Sequence, residues 1–193
     1  MELADDIEAV LAELNETSRA AEGLLTTYQS TQLIGRQPGG WSAAQCLDHL
    51  AKTNLIYSNA IRDAVKPAMH VVRTDRRGPI RPGWFTCKFI ERMDAGANTK
   101  FRAPDPVVPP PEADPRTALR DFLRAQRAVV DLLTEARNLD LNAIRFKNPF
   151  VSWMRFSVGT GFKIVAAHNR RHLAQARRIA DSIPRAFVAS SGR

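Results

Sequence analysis

Apolar side chains recur every three or four positions through most of this chain, which is the spacing of an amphipathic helix. The first such stretch covers residues 3–34, with charged positions on the opposite side. Glycines follow at positions 35, 39 and 40, and glycine clusters between periodic segments are typical of loops. The pattern therefore predicts a long first helix that ends near Gly35.

A capping-box pattern predicts where the second helix begins. Ser42 is followed three residues later by Gln45, and Trp41 just before them can pack onto Cys46. The apolar face of this helix continues through Ala43, Leu47, Leu50, Leu55, Ile61 and Val65. We expect the helix to stop by Pro67, because proline lacks the N–H that a helix interior requires.

The middle of the chain is less regular. Residues 70–83 are basic and contain several glycines and prolines, which predicts an irregular segment. A short helix is expected over residues 84–93. Residues 103–111 are so rich in proline that they must be extended, either as a surface linker or as a strap lying across the helices. A proline-rich partner motif is the less favoured alternative.

Two further helices complete the predicted fold. Asp114 and Pro115 suit the N-cap and the first position of a helix that runs through Leu133. Residues 138–156 form another irregular connection, and a last helix starts near Ser157 and ends before Pro184. Because no strand-like alternation is sustained anywhere, we expect an all-α bundle of four or five helices, with residues 1–193 forming a single domain.

Composition is that of an ordinary soluble protein. The chain has 193 residues, of which 44% are hydrophobic and 25% are charged, and no apolar run approaches the length of a membrane span. Its acidic start continues into a helical pattern and does not resemble a signal peptide. Two cysteines are too few for a disulfide framework. These features predict a cytoplasmic location and no membrane partner.

The net charge of +8 raises the question of nucleic acid. Arginines concentrate in residues 73–81, in the last helix and in the tail, and such a surface could attract phosphates or an anionic small molecule. The chain lacks a zinc-finger or helix-turn-helix signature, and aromatic residues do not alternate with the basic ones. A solvated, arginine-rich face is therefore the favoured interpretation.

The most informative chemistry is a histidine pair in the last helix. His168 and His172 are four residues apart, so both lie on one helix face and can bind a single first-row metal ion. They could also simply face solvent or a polar core pocket. His49 in the second helix would, alone, be a hydrogen-bonded core residue, but in a bundle it can converge with the pair. Three imidazoles would leave coordination positions open, as in a catalytic site.

Residues near these histidines have alternative roles. Cys46, three residues before His49, could be a fourth ligand or a reactive thiol, although buried cysteine is more often a small core residue. Asp48 should point away from its neighbour His49 and face solvent. His70 is most simply a surface residue of the basic segment.

In the last helix, Asn169 stands where an HExxH protease would have glutamate, so the general base of that class is missing. Arg171 can reach an anionic substrate or cofactor, or pair with a surface carboxylate. Gln175 can line the pocket or hydrogen-bond a neighbouring helix. Three aromatic residues could form an apolar pocket wall, although such residues more often belong to the core: Trp84, Trp153 and Phe156.

Two segments together carry a family resemblance. The segment Gly40-Trp-Ser-Ala-Ala-Gln-Cys-Leu-Asp-His49-Leu50 and the segment from Gly159 through His168-Asn-Arg-Arg-His172 to Gln175 resemble the DinB-like (YfiT-type) superfamily, a DNA-damage-inducible metal-binding family. The resemblance spans nearly the whole chain, including the stretch 100–104 before the fourth helix. It implies an up-and-down four-helix bundle, a divalent metal held by His49, His168 and His172, and frequent homodimers.

The resemblance also bears on function. Relatives include thiol-dependent S-transferases and isomerases that use bacillithiol or mycothiol, in which the metal is thought to activate the thiol. We therefore expect a metal-dependent enzyme of the thiol S-transferase, isomerase or hydrolase type, with zinc or nickel before iron, cobalt or manganese. Arg171 and Gln175 are the candidate residues for binding a low-molecular-weight thiol. The alternative is a non-enzymatic, metal-binding stress-response protein, and nucleic-acid binding is the least supported hypothesis.

Overall fold

The fold is all-α, as expected, in a computed structural model that describes residues 2–69, 79–93, 103–151 and 153–185. Within these ranges the helices are α1 (Glu2–Thr27), α2 (Ser30–Ile34), α3 (Ala43–Met69), α4 (Trp84–Met93), α5 (Pro115–Glu135) and α6 (Val158–Ser182). A 3₁₀ turn covers Asp105–Val107, and two short strands, β1 (Arg145–Lys147) and β2 (Arg155–Ser157), precede α6.

The three predicted helix starts are confirmed by their capping hydrogen bonds. In the capping box of α3, the Ser42 backbone N–H donates to the Gln45 side chain over 2.8 Å, and the Gln45 N–H donates to the Ser42 hydroxyl over 3.1 Å. Asp114 accepts from the backbone N–H of Thr117 at the start of α5. Ser157 caps α6 in the same way.

Three predicted details were wrong. The helix expected over 3–34 is interrupted, because Gln29 adopts an extended backbone and caps the separate helix α2. Helix α3 passes Pro67 and ends at Met69, since a proline in the final turn removes only one hydrogen bond. Leu55 is 51% exposed, and its neighbour Asn54 occupies the core-facing position instead.

A small hairpin replaces part of the irregular connection expected over 138–156. Strands β1 and β2 pair antiparallel, with Phe146 opposite Phe156, and both rings are buried. Phe146 packs so closely on Gly161 of α6 that a Cβ atom there would lie 2.7 Å from its ring. The absence of a side chain at position 161 is therefore what allows the hairpin to close this end of the bundle.

The four long helices α1, α5, α3 and α6 form a closed ring of contacts, in that order. Hydrogen bonds and ion pairs give their directions. Asn54 pairs with Gln126, and further along both helices Arg62 pairs with Glu135, so α3 and α5 run the same way. This differs from simple up-and-down alternation, because the long connection between α3 and α5 returns the chain to the end where α3 began.

Helices α1 and α6 are also parallel to each other. Asp6 pairs with Lys163 near their starts, and Tyr28 donates to Asp181 near their ends. Both run opposite to α3 and α5, because His49 meets His168 at one end of the α3–α6 interface while Ile61 approaches Gly161 at the other. The bundle therefore has two parallel pairs of opposite direction.

The core consists of two apolar clusters separated by polar side chains. We call one cluster the aromatic half; it includes Ile7, Leu14, Tyr57, Ile61, Leu132, Phe146, Phe156 and Phe162. We call the other the histidine half; it includes Ala21, Leu24, Cys46, Leu47, Leu50, Phe122, Leu173 and Ala176. Between them lies a polar layer of four buried residues, one from each long helix: Thr17, Asn54, Gln126 and Asn169.

The proline-rich segment 103–111 lies against the start of α3, which supports the strap interpretation. Three α3 side chains approach its carbonyl oxygens. Gln45 donates to Pro110 over 2.7 Å, His49 lies 2.7 Å from Val107, and Lys52 donates to Val108 over 3.0 Å. Prolines supply no N–H donors, so the strap offers α3 mainly acceptors. We refer to residues 103–111 as the strap.

Candidate metal centre

The three predicted histidines converge in the histidine half of the bundle. His49 comes from the second turn of α3, and His168 and His172 lie one turn apart on the face of α6 that meets α3. Their ring centroids are separated by 4.5 to 5.1 Å. One potential ligand atom from each lies within 4.8 Å of the other two, and neither a cysteine nor a carboxylate of the described chain joins this group.

The spacing of the rings suits a small divalent cation. His49 Nε2 and His168 Nε2 are 3.3 Å apart. Two nitrogens that bind zinc at about 2.0–2.1 Å with a tetrahedral angle lie about 3.3 Å from each other. Without a metal, the same distance permits a hydrogen bond between the two rings, so the geometry fits both states.

The strap determines the tautomer of His49. His49 Nδ1 lies 2.7 Å from the carbonyl oxygen of Val107. Because a carbonyl oxygen can only accept, Nδ1 must carry the proton, and the lone pair of this ring is then on Nε2, which faces His168. His168 lacks a comparable partner: its Nδ1 is buried and makes no hydrogen bond with the residues that the structure describes. Packing, rather than a second hydrogen bond, holds that ring.

All three imidazoles are held in their neutral form. Burial lowers the pKa of His49, although the hydrogen bond to Val107 opposes this. Burial lowers the pKa of His168 well below its usual range, and electrostatic interactions with His172, His49 and the Arg171 cation lower it further. The pKa of His172 falls to about 3, chiefly through burial. At neutral pH the ring lone pairs are therefore available without the loss of a proton.

Trp41 forms the aromatic wall of this site. Its ring centroid lies 4.9 Å from that of His49 and 6.1 Å from that of His172. The sequence offered Trp84, Trp153 and Phe156 either for such a wall or, with preference, as core residues, and the core interpretation is correct for Phe156 alone. Trp84 and Trp153 are each 76% exposed, while Phe156 is buried in the aromatic half. The signal for Trp41 was its place directly before the capping box, two turns from His49.

Arg171 and Gln175 both lie beside the histidines. Arg171 is half-buried, and its positive charge contributes to the lowered pKa of His168 and of His172. A side-chain hydrogen bond between Gln175 and His172 acts in the opposite direction and raises the pKa of that imidazole. Both residues therefore interact with the His172 ring.

The other sequence candidates do not join the site. Cys46 is fully buried among apolar side chains, and burial raises the pKa of its thiol to about 12, so the core interpretation is correct. Asp48 forms an ion pair with Lys52 over 2.8 Å and is half-buried, so it is less exposed than the predicted solvent-facing residue. His70 lies outside the described residues.

A helical bundle in which two buried imidazoles and one half-buried imidazole from two helices meet belongs to the class of bundles with a candidate metal centre in the core. The family model of the DinB superfamily matches residues 11–176. The chain therefore belongs to the DinB superfamily, and the resemblance found in the sequence is confirmed. Neither curated proteins nor solved structures give a significant match. None of the helices in the described ranges has the length and apolar character of a membrane span.

Proposed function

We propose that this protein is a metal-dependent enzyme that activates a thiol or a water molecule, in S-transfer, isomerisation or hydrolysis. The observation that carries the proposal is the convergence of three neutral imidazoles without a fourth protein ligand in the described chain. A divalent cation held by His49, His168 and His172 would supply a Lewis acid that lowers the pKa of a thiol or water in its open position. Zinc and nickel are the first choices for an all-imidazole site.

The residues around the histidines have separate tasks in this proposal. Val107 keeps the His49 lone pair on Nε2 through its carbonyl oxygen. Trp41 covers the rings on one side and limits access of water. Arg171 and Gln175 bind the polar or anionic part of a low-molecular-weight thiol beside His172, because a cationic guanidinium and an amide offer hydrogen-bond donors there.

Elemental analysis tests the metal site. Untagged wild-type protein and the His168→Ala/His172→Ala variant are each reconstituted with zinc, nickel, cobalt, manganese and iron(II), then freed of excess metal. We expect about one ion per chain in the wild type and none in the variant. Thiols are then screened with electrophilic substrates, using the loaded wild type and the variant. A wild type that retains no metal would contradict the proposal.

A non-enzymatic metal-binding role is the second candidate. It is favoured by the burial of the site, since His49 is 4% exposed and His168 is 8% exposed. A groove of about 510 Å³ lies between α1 and α6, lined by residues such as Glu13, Gly23 and Arg177, and none of the three histidines lines it. A closed site would hold its metal for stability or for sensing.

Ligand exchange separates the two candidates. Cobalt(II)-loaded protein is titrated with azide and with 2-mercaptoethanol while its visible absorption is recorded. A changed spectrum would support an open position and the enzyme proposal. An unchanged spectrum, together with a large fall in melting temperature after metal removal, would support the non-enzymatic role.

We also propose a homodimer, on the basis of family membership alone. Light scattering coupled to size-exclusion chromatography should give about twice the chain mass of 21.5 kDa. A mass equal to that of one chain over the accessible concentration range would contradict this proposal.

A further inference from the structure

The polar layer links all four long helices through a single side chain, Gln126 of α5. Its Nε2 group donates to the Leu14 carbonyl oxygen over 2.7 Å and to the Thr17 hydroxyl over 2.8 Å, both on α1. Its Oε1 atom accepts from Asn54 Nδ2 on α3 and from Asn169 Nδ2 on α6, each over 2.8 Å. Gln126 is 1% exposed, so water cannot readily replace these partners.

Chemistry fixes the orientation of every amide in this network. The Leu14 carbonyl oxygen can only accept, so the Gln126 atom facing it must be the NH₂ nitrogen. The opposite atom, Oε1, is then an acceptor, and each asparagine must turn its own NH₂ group toward it. A flip of any of the three amides would bring two acceptors or two donors together. The layer therefore has one hydrogen-bonded arrangement.

One oxygen atom thus holds the two helices that carry the histidines. Asn169 directly follows His168 on α6, and Asn54 lies five residues beyond His49 on α3, a rise of about 7.5 Å along the helix. Helix α5 itself contributes no member of the histidine group. The shared acceptor fixes the separation of α3 and α6 immediately next to the place where their imidazoles meet.

We propose that Gln126 is a positioning residue for the three-histidine site, and that its Oε1 atom sets the α3–α6 spacing at which His49 and His168 can bind one cation. The inference rests on the proposed metal binding. A tetrahedral site requires ring nitrogens about 3.3 Å apart, and a separation larger by about 1 Å would take one of them beyond bonding distance. Metal affinity and coordination geometry should therefore depend on a residue that does not touch the metal.

The test compares cobalt(II) binding by wild type and by Gln126→Leu, which keeps similar volume and removes every hydrogen bond of the side chain. We expect the affinity to fall roughly tenfold or more, the range found when outer partners of metal ligands are replaced. The visible bands of the bound ion should also change in intensity or position, because they depend on coordination geometry. Unfolding is measured in parallel.

Two control variants separate positioning from general destabilisation. Thr17→Val removes a partner within the same layer but leaves both asparagine bonds to Gln126, so cobalt affinity and spectrum should stay as in wild type. Leu132→Ala on α5 creates a cavity in the aromatic half and lowers stability without touching the layer. If either control altered the spectrum as strongly as Gln126→Leu, the layer would be merely structural and the inference would be wrong.

If Gln126→Leu fails to fold, variants of the two asparagines test the same inference. Asn54→Ala and Asn169→Ala each release one of the two helices from Gln126, and each should lower cobalt affinity by less than the Gln126 change. Wild-type affinity and spectrum in both would overturn the inference. Failure of the wild type to bind cobalt would remove the proposed function as well, whereas wild-type binding with unaltered variants would remove this inference alone.

Discussion

The two halves of the core differ in the size and polarity of the side chains that fill them. The aromatic half contains Phe146, Phe156 and Phe162, and the hairpin closes it. The histidine half contains many alanines and leucines and surrounds three imidazoles and a tryptophan edge. Large apolar side chains bury more area and stabilise more. The comparison indicates that one end of the bundle contributes more of the apolar stabilisation, while the other end contains the candidate metal site.

Small residues are concentrated where the histidines meet. Six buried alanines belong to the histidine half: Ala21, Ala43, Ala51, Ala118, Ala176 and Ala180. Small side chains permit close approach of helix backbones, and they leave room for rings that must face one another rather than fill the core. Small side chains bury less apolar area, so apolar burial stabilises this half less. We therefore expect the polar layer and the strap to contribute a larger part of its stability.

The largest expected effect concerns a matched pair of phenylalanines, one in each half. Phe162 and Phe122 are both fully buried. Replacement of either by alanine should lower the free energy of unfolding by about 3–5 kcal/mol, because a large cavity remains. Only Phe122→Ala should also weaken metal binding, since only this residue packs in the histidine half. Urea unfolding and cobalt titration measure the two effects.

An equal loss of metal affinity in both phenylalanine variants would contradict the expectation that only packing in the histidine half affects metal binding. It would mean that global stability, rather than local packing around the rings, determines binding.

The next effect is confined to the histidine half. His49→Ala should lower metal affinity by more than the roughly 10–100-fold found for outer partners, because a ligand itself is lost. Asp48→Ala is the control, since it keeps all three imidazoles. The half-buried Asp48 carboxylate pairs with Lys52 and acts on the pKa of His49 less than burial and the Val107 hydrogen bond do, so the affinity should change far less than in His49→Ala. Competition with a chromophoric chelator gives both affinities. Similar affinities in the two variants would exclude His49 as a ligand.

A smaller effect should appear in the pH dependence of the metal-free protein. The pKa values of His49, His168 and His172 are lowered by burial in the folded chain, whereas an unfolded imidazole has a pKa of about 6.5. Below about pH 6.5 the unfolded chain binds protons that the folded chain does not, so stability falls with acidification. For His172 this continues until its folded pKa of about 3.

Urea unfolding at pH 7.5 and pH 5.5 measures this dependence in EDTA-treated protein. The variant with glutamine at all three histidine positions should lose less stability over the same interval. An identical loss in wild type and variant would show that groups other than the three histidines cause the acid sensitivity.

Local signals in the sequence predicted most helix boundaries. Ser42 with Gln45, Asp114 and Ser157 each cap a helix through contacts within three residues, which a sequence displays directly. The histidine pair of α6 was equally visible, because residues four apart share a helix face. His49 was a candidate because a bundle can bring a second helix against the pair, and the family resemblance then implied it as the third ligand; its side chain does meet the pair.

Long-range relations were not predictable in the same way. Gln126 and Asn54 looked like ordinary polar positions of amphipathic helices, and only the packing of four helices makes them a buried layer. The parallel direction of α3 and α5 depends on the path of the connection between them. The bond from His49 to the Val107 carbonyl also joins distant segments and carries no signal in residue type.

The placement of the histidines along the chain has a consequence for folding. His168 and His172 come together as soon as α6 forms, whereas His49 is 119 positions before His168 and can join them only after a long stretch of chain has closed. Closure of such a loop has an entropic cost that is recovered only when the bundle packs. The third imidazole therefore joins the other two only when the tertiary structure forms. The spectrum of a metal ion such as cobalt(II) bound by all three would then report the completion of folding rather than the formation of α6.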